Sequence, residues 1–295
     1  MIRRIHIVLM LALSTLLISS CHEDEPINED TPEENNTDNY GTTQVSLHDY
    51  PYGTDSLEKA DLYIPEGQRD TIKTIIFIHG GGWQGGDKQD FNGWFDYFKE
   101  NEIYALINMN YKLSDEENLP IPMQTDDINL VIEKFASEFG INRSGIFLIG
   151  ASAGAHLALL YAYKYDYSHR VKGVASIVGP TDFTDSIYRN DPMYYNMYHY
   201  GIESVFGCHY EDNPEYFSSI SPYFFVTSTS PKTALYYGKL DSLVPYTQGT
   251  KLYTLLQSYN IVSECKVYEN SGHEFNDTDG WDCFVNLLEF IHNNF

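Results

Sequence analysis

The sequence predicts an α/β domain: a mostly parallel central sheet of about eight strands with helices on both faces and one lid-like insertion. Three observations carry this expectation. Short β-rich runs alternate with stretches of helical apolar spacing, the rhythm of a doubly wound sheet. The middle runs, such as Thr74-Ile75-Ile76-Phe77-Ile78 and Ile146-Phe147-Leu148-Ile149, are continuous and apolar, as strands covered on both faces must be. One connection, residues 180–230, is far longer than a compact domain needs for linking two elements, and such excursions usually carry function.

Strands are expected near 43–48, 60–64, 74–78, 104–108, 146–149, 173–178, 233–237 and 265–268. Helices fit at about 88–100, 124–139, 153–164, 247–259 and 281–293. In the second of these, Ile128, Val131, Ile132 and Phe135 fall on one helical face. The insertion is rich in Tyr, Phe, Asn and Pro, and it is expected over the carboxyl edge of the sheet.

The first twenty residues read as a signal peptide rather than as part of the fold. Arg3 and Arg4 precede an apolar run over 5–18, and Ser19-Ser20 lead into Cys21. The run falls short of the ~20 residues needed to span a membrane. Residues 22–40 carry eight acids, no Lys or Arg and a single aliphatic side chain, so they cannot offset their ordering entropy by burial. A disordered acidic tether over 21–40 and a folded domain over 41–295 are expected. Ile18-Ser19-Ser20-Cys21 resembles the bacterial lipobox, which implies lipid on Cys21 and an exported protein held at the outer membrane or in the periplasm. The acids after Cys21 are similar to the surface-export signal of Bacteroidetes lipoproteins. A simple spacer accounts for them equally.

The whole chain has 42 Asp and Glu against 18 Lys and Arg, a net charge of −24. So acidic a body repels phosphate backbones, which excludes nucleic acid as a partner and suits neutral substrates. Of the four cysteines, Cys208, Cys265 and Cys283 remain once Cys21 is set aside. They form no disulfide framework, although Cys265 and Cys283 could pair in an oxidising compartment. No CxxC, HExxH or Cys/His cluster of zinc spacing occurs, so no metal is assigned.

The chemistry centres on Gly150-Ala151-Ser152-Ala153-Gly154, between a strand and a helix. Small residues on both sides permit a sharp, closely packed turn that lifts a serine hydroxyl above the sheet. The helix start adds free N–H groups and a positive dipole end. After the strand ending at Ile78 comes His79-Gly80-Gly81-Gly82-Trp83, whose glycines let backbone amides approach a substrate oxygen. Gly80 to Gly85 also matches the dinucleotide fingerprint GxGxxG. That reading fails on the following strand, which ends in Asn108-Met109-Asn110 without the ribose-binding acid, and on the bulk of Trp83. No cofactor is expected.

The glycine loop resembles the HGGG oxyanion loop of the hormone-sensitive-lipase-like branch of the α/β-hydrolases. With Trp83 it is similar to the BD-FAE group of feruloyl and acetyl esterases and kynurenine formamidases. The resemblance implies an α/β-hydrolase fold, Ser152 as nucleophile, and oxyanion donors from the N–H groups of Gly81, Gly82 and Ala153. His79 would then be structural. The family's triad order is Ser, acid, His. Gly238-Lys239-Leu240-Asp241-Ser242-Leu243-Val244-Pro245 looks like its acid turn and points to Asp241, whereas Asp182 and Asp185 come too early. Asn270-Ser271-Gly272-His273 matches its base loop, which points to His273. Asn110-Tyr111-Lys112-Leu113 is similar to the family's N-Y-R-L. Ala151 and Ala155 depart from common lipase residues and leave the substrate open.

These residues imply acyl transfer from a small-molecule or glycan ester. Tyr188, Tyr194, Tyr195, Tyr198 and Tyr200 in the insertion could stack on a sugar or an aromatic acyl group, or could simply pack the insertion onto the body. Arylformamide hydrolysis is the rival within enzymes. A carbohydrate-binding lipoprotein on an inactive hydrolase fold is the rival outside them.

Overall fold

The computed structural model describes residues 43–67, 69 and 71–295. The expected signal segment 1–20, Cys21 and the expected tether lie outside the described residues. Among the described residues no helix is long and apolar enough to cross a membrane.

Eight strands form one sheet: β1 (Val45–Pro51), β2 (Lys59–Ile64), β3 (Thr74–Ile78), β4 (Ala105–Met109), β5 (Ile146–Ala151), β6 (Val171–Ile177), β7 (Lys232–Gly238) and β8 (Ser263–Tyr268). Their order is β1-β2-β4-β3-β5-β6-β7-β8. β2 runs antiparallel to both β1 and β4, and the pairs from β4 through β8 are all parallel. Every residue of β3 and β4 is buried, as their continuous apolar sequences demand.

The side-chain alternation of the strands feeds two apolar layers. Ile76 and Ile78 point to the layer that holds α2 (Met123–Phe139), α3 (Ala153–Leu160) and α8 (Thr247–Ser258). Ile75 and Phe77 point to the layer under α1 (Asn92–Asn101) and α9 (Asp277–Asn294). Helix α2 ends on Gly140, which takes the left-handed conformation that caps such ends (φ 69°). The layers also decide the cysteines. Cys265 packs on the first layer and Cys283 is buried in the second, so the sheet stands between them and both are free thiols. The pairing that the sequence left open is not formed.

Between β6 and β7 the insertion forms short helices: α4 (Ile187–Asn190), α5 (Pro192–Met197), α6 (Glu203–Val205) and α7 (Pro214–Ser219). It has an aromatic core of its own, with Phe183, Tyr188, Tyr198, Phe206 and Phe217 at 1% exposure or less. Of the five tyrosines singled out, Tyr188, Tyr194 and Tyr198 are buried in packing. Only Tyr195 and Tyr200 keep substantial exposure.

Candidate active site

The sheet order reverses at β3, which lies between β4 and β5. Crevices at the carboxyl ends of strands form at such switch points. Because β3 and β5 are parallel neighbours with Ile78 opposite Gly150, the glycine loop and the Ser152 turn leave the sheet side by side. A Cβ on Gly154 would come within 2.2 Å of the Ile78 carbonyl oxygen, so only glycine lets α3 start this close to β3.

Ser152 sits at φ 52°, ψ −118°, a conformation that L-residues rarely adopt. Its N–H donates to the Ile177 carbonyl at 2.8 Å and its carbonyl accepts from the His156 N–H at 3.1 Å. The turn is thus clamped between β6 and α3. Its hydroxyl lies 2.9 Å from His273 Nε2, and His273 Nδ1 lies 2.8 Å from Asp241 Oδ2. Ser152 and His273 are partly exposed while Asp241 is buried. The other Asp241 oxygen accepts the Leu243 and Val244 N–H groups at 2.7 and 2.9 Å, which orients the carboxylate.

Asp241 leaves the end of β7, and His273 leaves the loop after β8. To reach Ser152, that loop must fold back across the end of β7. Leu240 N–H holds it through the Ser271 carbonyl at 2.9 Å. A Cβ on Gly238 would stand 2.1 Å from the Gly272 carbonyl oxygen, so the crossing needs glycine there. Gly238→Ala is therefore expected to displace His273 and lower kcat/KM about 100-fold, the scale of a 1 Å misplacement in a catalytic group. Steady-state kinetics on p-nitrophenyl acetate checks this, and an unchanged rate would mean that the loop tolerates the shift.

Asp182 and Asp185 are engaged elsewhere. The first caps Thr184 at 2.9 Å, and the second faces Gln248 and Lys251.

In the glycine loop, Gly81 (φ 115°) and Gly82 (φ 60°) turn the backbone through conformations suited to glycine. The Gly82 face is open, since a Cβ there would meet nothing within 4 Å. Gly80 lies against Ser152, since a Cβ on Gly80 would stand 3.3 Å from Ser152 Cβ. Ala153 opens α3, where the backbone N–H groups have no carbonyl one turn back to bond. His79 is buried, stacks on Tyr111 at 4.3 Å and sets Nδ1 against the Gly80 carbonyl at 2.6 Å. The loop does not open a helix, as a pyrophosphate cradle would. A 3-10 turn over Lys88–Phe91 follows it.

The clamp on this loop was not legible from sequence. Trp83 holds φ 62°, and three donors fix its carbonyl: Ser114 N–H at 2.9 Å, Ser114 Oγ at 3.1 Å and Gln124 Nε2 at 2.7 Å. Its indole N–H donates to His156 Nδ1 at 3.1 Å, and His156 Nε2 faces the Ile220 carbonyl at 2.7 Å. One buried imidazole therefore joins the glycine loop, the helix that follows Ser152 and the insertion. In the sequence its one trace is the placing of His156 four residues after Ser152.

Complete burial pushes the His156 imidazole down to about 4, against an opposing pull from the Ile220 carbonyl. The folded state therefore binds this proton less readily than the unfolded chain does. The associated stability is fully present above about pH 6.5 and is lost as pH falls toward 4, up to about 3 kcal/mol. Melting temperature should fall more steeply between pH 6.5 and 4 for wild type than for His156→Gln, which keeps a donor and an acceptor without titrating. Parallel curves would remove His156 from the acid response.

A family model described as BD-FAE matches residues 60–256. The chain belongs to the BD-FAE family. It is 29% identical to a kynurenine formamidase of Danio rerio over 156 residues, 50% of this chain and 51% of that one. The chain spans about half the length of the curated relatives it matches. Among solved structures, a bifunctional GH43-CE protein of Bacteroides eggerthii superposes with TM-score 0.69 at 20% identity, covering 84% of this chain and 38% of that one. A truncated carbohydrate esterase from gut microbiota gives TM-score 0.66 at 20% identity, covering 84% and 96%. These similarities establish the α/β-hydrolase fold.

Proposed function

We propose that this BD-FAE protein is a serine carboxylesterase acting on short acyl or aromatic esters, with acetyl or feruloyl groups on plant polysaccharide as the substrate class. The observation that carries the reading is the unbroken chain Ser152–His273–Asp241, at 2.9 and 2.8 Å.

In this mechanism His273 Nε2 takes the Ser152 proton as Oγ attacks the ester carbonyl. Asp241 accepts from Nδ1–H, which keeps Nε2 free as the base and stabilises the imidazolium that forms. The tetrahedral oxyanion is received by the N–H groups of Gly81, Gly82 and Ala153, each worth roughly 2–4 kcal/mol of barrier. His273 then returns the proton to the leaving alcohol. A water molecule, deprotonated by the same imidazole, releases the acid. Every step is supplied by groups of this chain.

The esterase class is supported by the carbohydrate-esterase neighbours among solved structures. The glycan side of the proposal draws on the carbohydrate-active character of those neighbours and on the exposed rings of Tyr195 and Tyr200. Export as a lipoprotein on Cys21, at the outer membrane or in the periplasm, belongs to the same reading, since polysaccharide is met outside the cell.

Fluorophosphonate labelling tests the mechanism. One adduct per chain on Ser152, by intact mass and peptide mapping, is expected. No adduct would leave a binding protein on a hydrolase fold. Parallel assays of acetylated xylan, methyl ferulate and N-formylkynurenine then test the substrate. Turnover of the last alone would replace the ester reading with the formamidase one.

A further inference from the structure

Away from Ser152, the insertion gathers two imidazoles and a carboxylate onto one point. The helical run from Pro192 to Val205 contains a wide turn over Tyr198–Ile202. His199 and Glu203, four residues apart on that run, share a face. Gly207 (φ 72°) then reverses the chain, and the N–H groups of Gly207 and Cys208 close on the Ser204 and Glu203 carbonyls at 3.3 and 3.2 Å. This tight reversal returns His209 to the same face. His199 Nδ1 lies 2.6 Å and His209 Nδ1 2.8 Å from one oxygen, Glu203 Oε2. The other oxygen accepts the Tyr210 N–H at 2.8 Å, which fixes how the carboxylate points. The two rings are nearly parallel, 5.0 Å apart at 22°.

We propose that His199, Glu203 and His209 form a binding site for a zinc-type divalent cation. The three ligand atoms lie within 4.8 Å of one another. Two imidazoles with one carboxylate is a donor set that suits zinc, whereas calcium and magnesium prefer oxygen alone. Ligands 2.0–2.2 Å from a tetrahedral ion stand roughly 3.3 Å apart, so the two nitrogen–oxygen gaps need to widen by only about 0.5–0.7 Å. The cation replaces the Nδ1 protons that two imidazoles must otherwise hold against one oxygen. Glu203 is 2% exposed, and a buried carboxylate gains most from such a partner. The His209 side chain is 57% exposed, which leaves a way in and a fourth position for water.

His199, Glu203 and His209 match none of the usual Cys and His zinc spacings. A bound ion ties the helical run to the turn after Gly207. The same run carries Tyr194, whose hydroxyl donates to the Asp241 backbone carbonyl at 3.0 Å, and Tyr198, which bonds the Phe183 carbonyl at 2.6 Å. The cation therefore stiffens the segment that packs beside the triad.

Titration calorimetry of the chelator-stripped full chain with zinc chloride tests this. One equivalent bound is expected, with a melting temperature that climbs with zinc concentration and not with calcium or magnesium. His199→Ala and His209→Ala should each weaken zinc binding at least ~10–100-fold, the loss known for removing even an outer partner of a metal site. The exposed His209 gives a variant whose folding is not in question. Absence of zinc binding to wild type, or wild-type affinity retained in both variants, overturns the site and leaves a proton-held His–Glu–His clasp. The readout is binding, so it stands or falls separately from ester hydrolysis.

Discussion

Ser152→Ala and Ser152→Gly are both expected to lower kcat on p-nitrophenyl acetate by about 10⁴- to 10⁶-fold with little change in KM, the scale of removing a nucleophile that acts as a unit with its base. Their stabilities should differ. Both lose the hydrogen bond to His273, but Ala keeps the strained backbone at φ 52°, ψ −118°. Glycine relaxes that strain, worth ~1–3 kcal/mol, against a greater unfolded-state entropy of ~0.5–1 kcal/mol. Ser152→Gly should thus melt about 2–4 °C above Ser152→Ala in a domain of this size. An Ala variant that melts as high would show that the turn carries no strain. A variant of either kind with near-wild-type turnover would remove Ser152 from the chemistry.

Asp241→Asn is the second large effect, near 10⁴-fold in kcat, and its cause is tautomeric. The Leu243 and Val244 N–H groups both donate to Oδ1, so an Asn there keeps its carbonyl oxygen on them. Its NH₂ group then faces His273 Nδ1. The imidazole must place its proton on Nε2 and present an N–H, not a lone pair, to Ser152. Geometry and burial stay nearly the same while the base is lost. Circular dichroism should match wild type. Turnover above about a tenth of the wild-type rate would assign the acid role to another residue.

The expected strands and helices recur with shifts of a few residues at their ends. The apolar run at 74–78 and the helical spacing of Ile128, Val131, Ile132 and Phe135 are local signals, set by side-chain periodicity that tertiary packing uses without altering. The terminal helix begins at Asp277, four residues before its expected start, because Asn276 caps it by accepting from the Thr278 and Asp279 N–H groups. The expected helix at 153–164 closes as α3 plus a wide turn over Tyr161–Tyr165. Lys112 of the Asn110–Leu113 motif had no assigned task. It bridges Glu58 at 2.7 Å and Asp127 at 2.8 Å, beneath the same edge of the sheet.

Sequence by itself determined the alternation of strands and helices, the small-residue turn around Ser152, the glycine loop at 79–83 and the chain order of Ser152, Asp241 and His273. Each is written in neighbouring residues. Only the tertiary structure decided that Ser152 meets a histidine 121 residues away, and that this histidine meets an acid 32 residues before it. The same holds for the burial of three insertion tyrosines, the Trp83–His156 clamp and the convergence of His199, Glu203 and His209. Strand order and loop crossings bring these groups together, and a crossing such as that of Gly272 over Gly238 leaves no periodic trace in the chain.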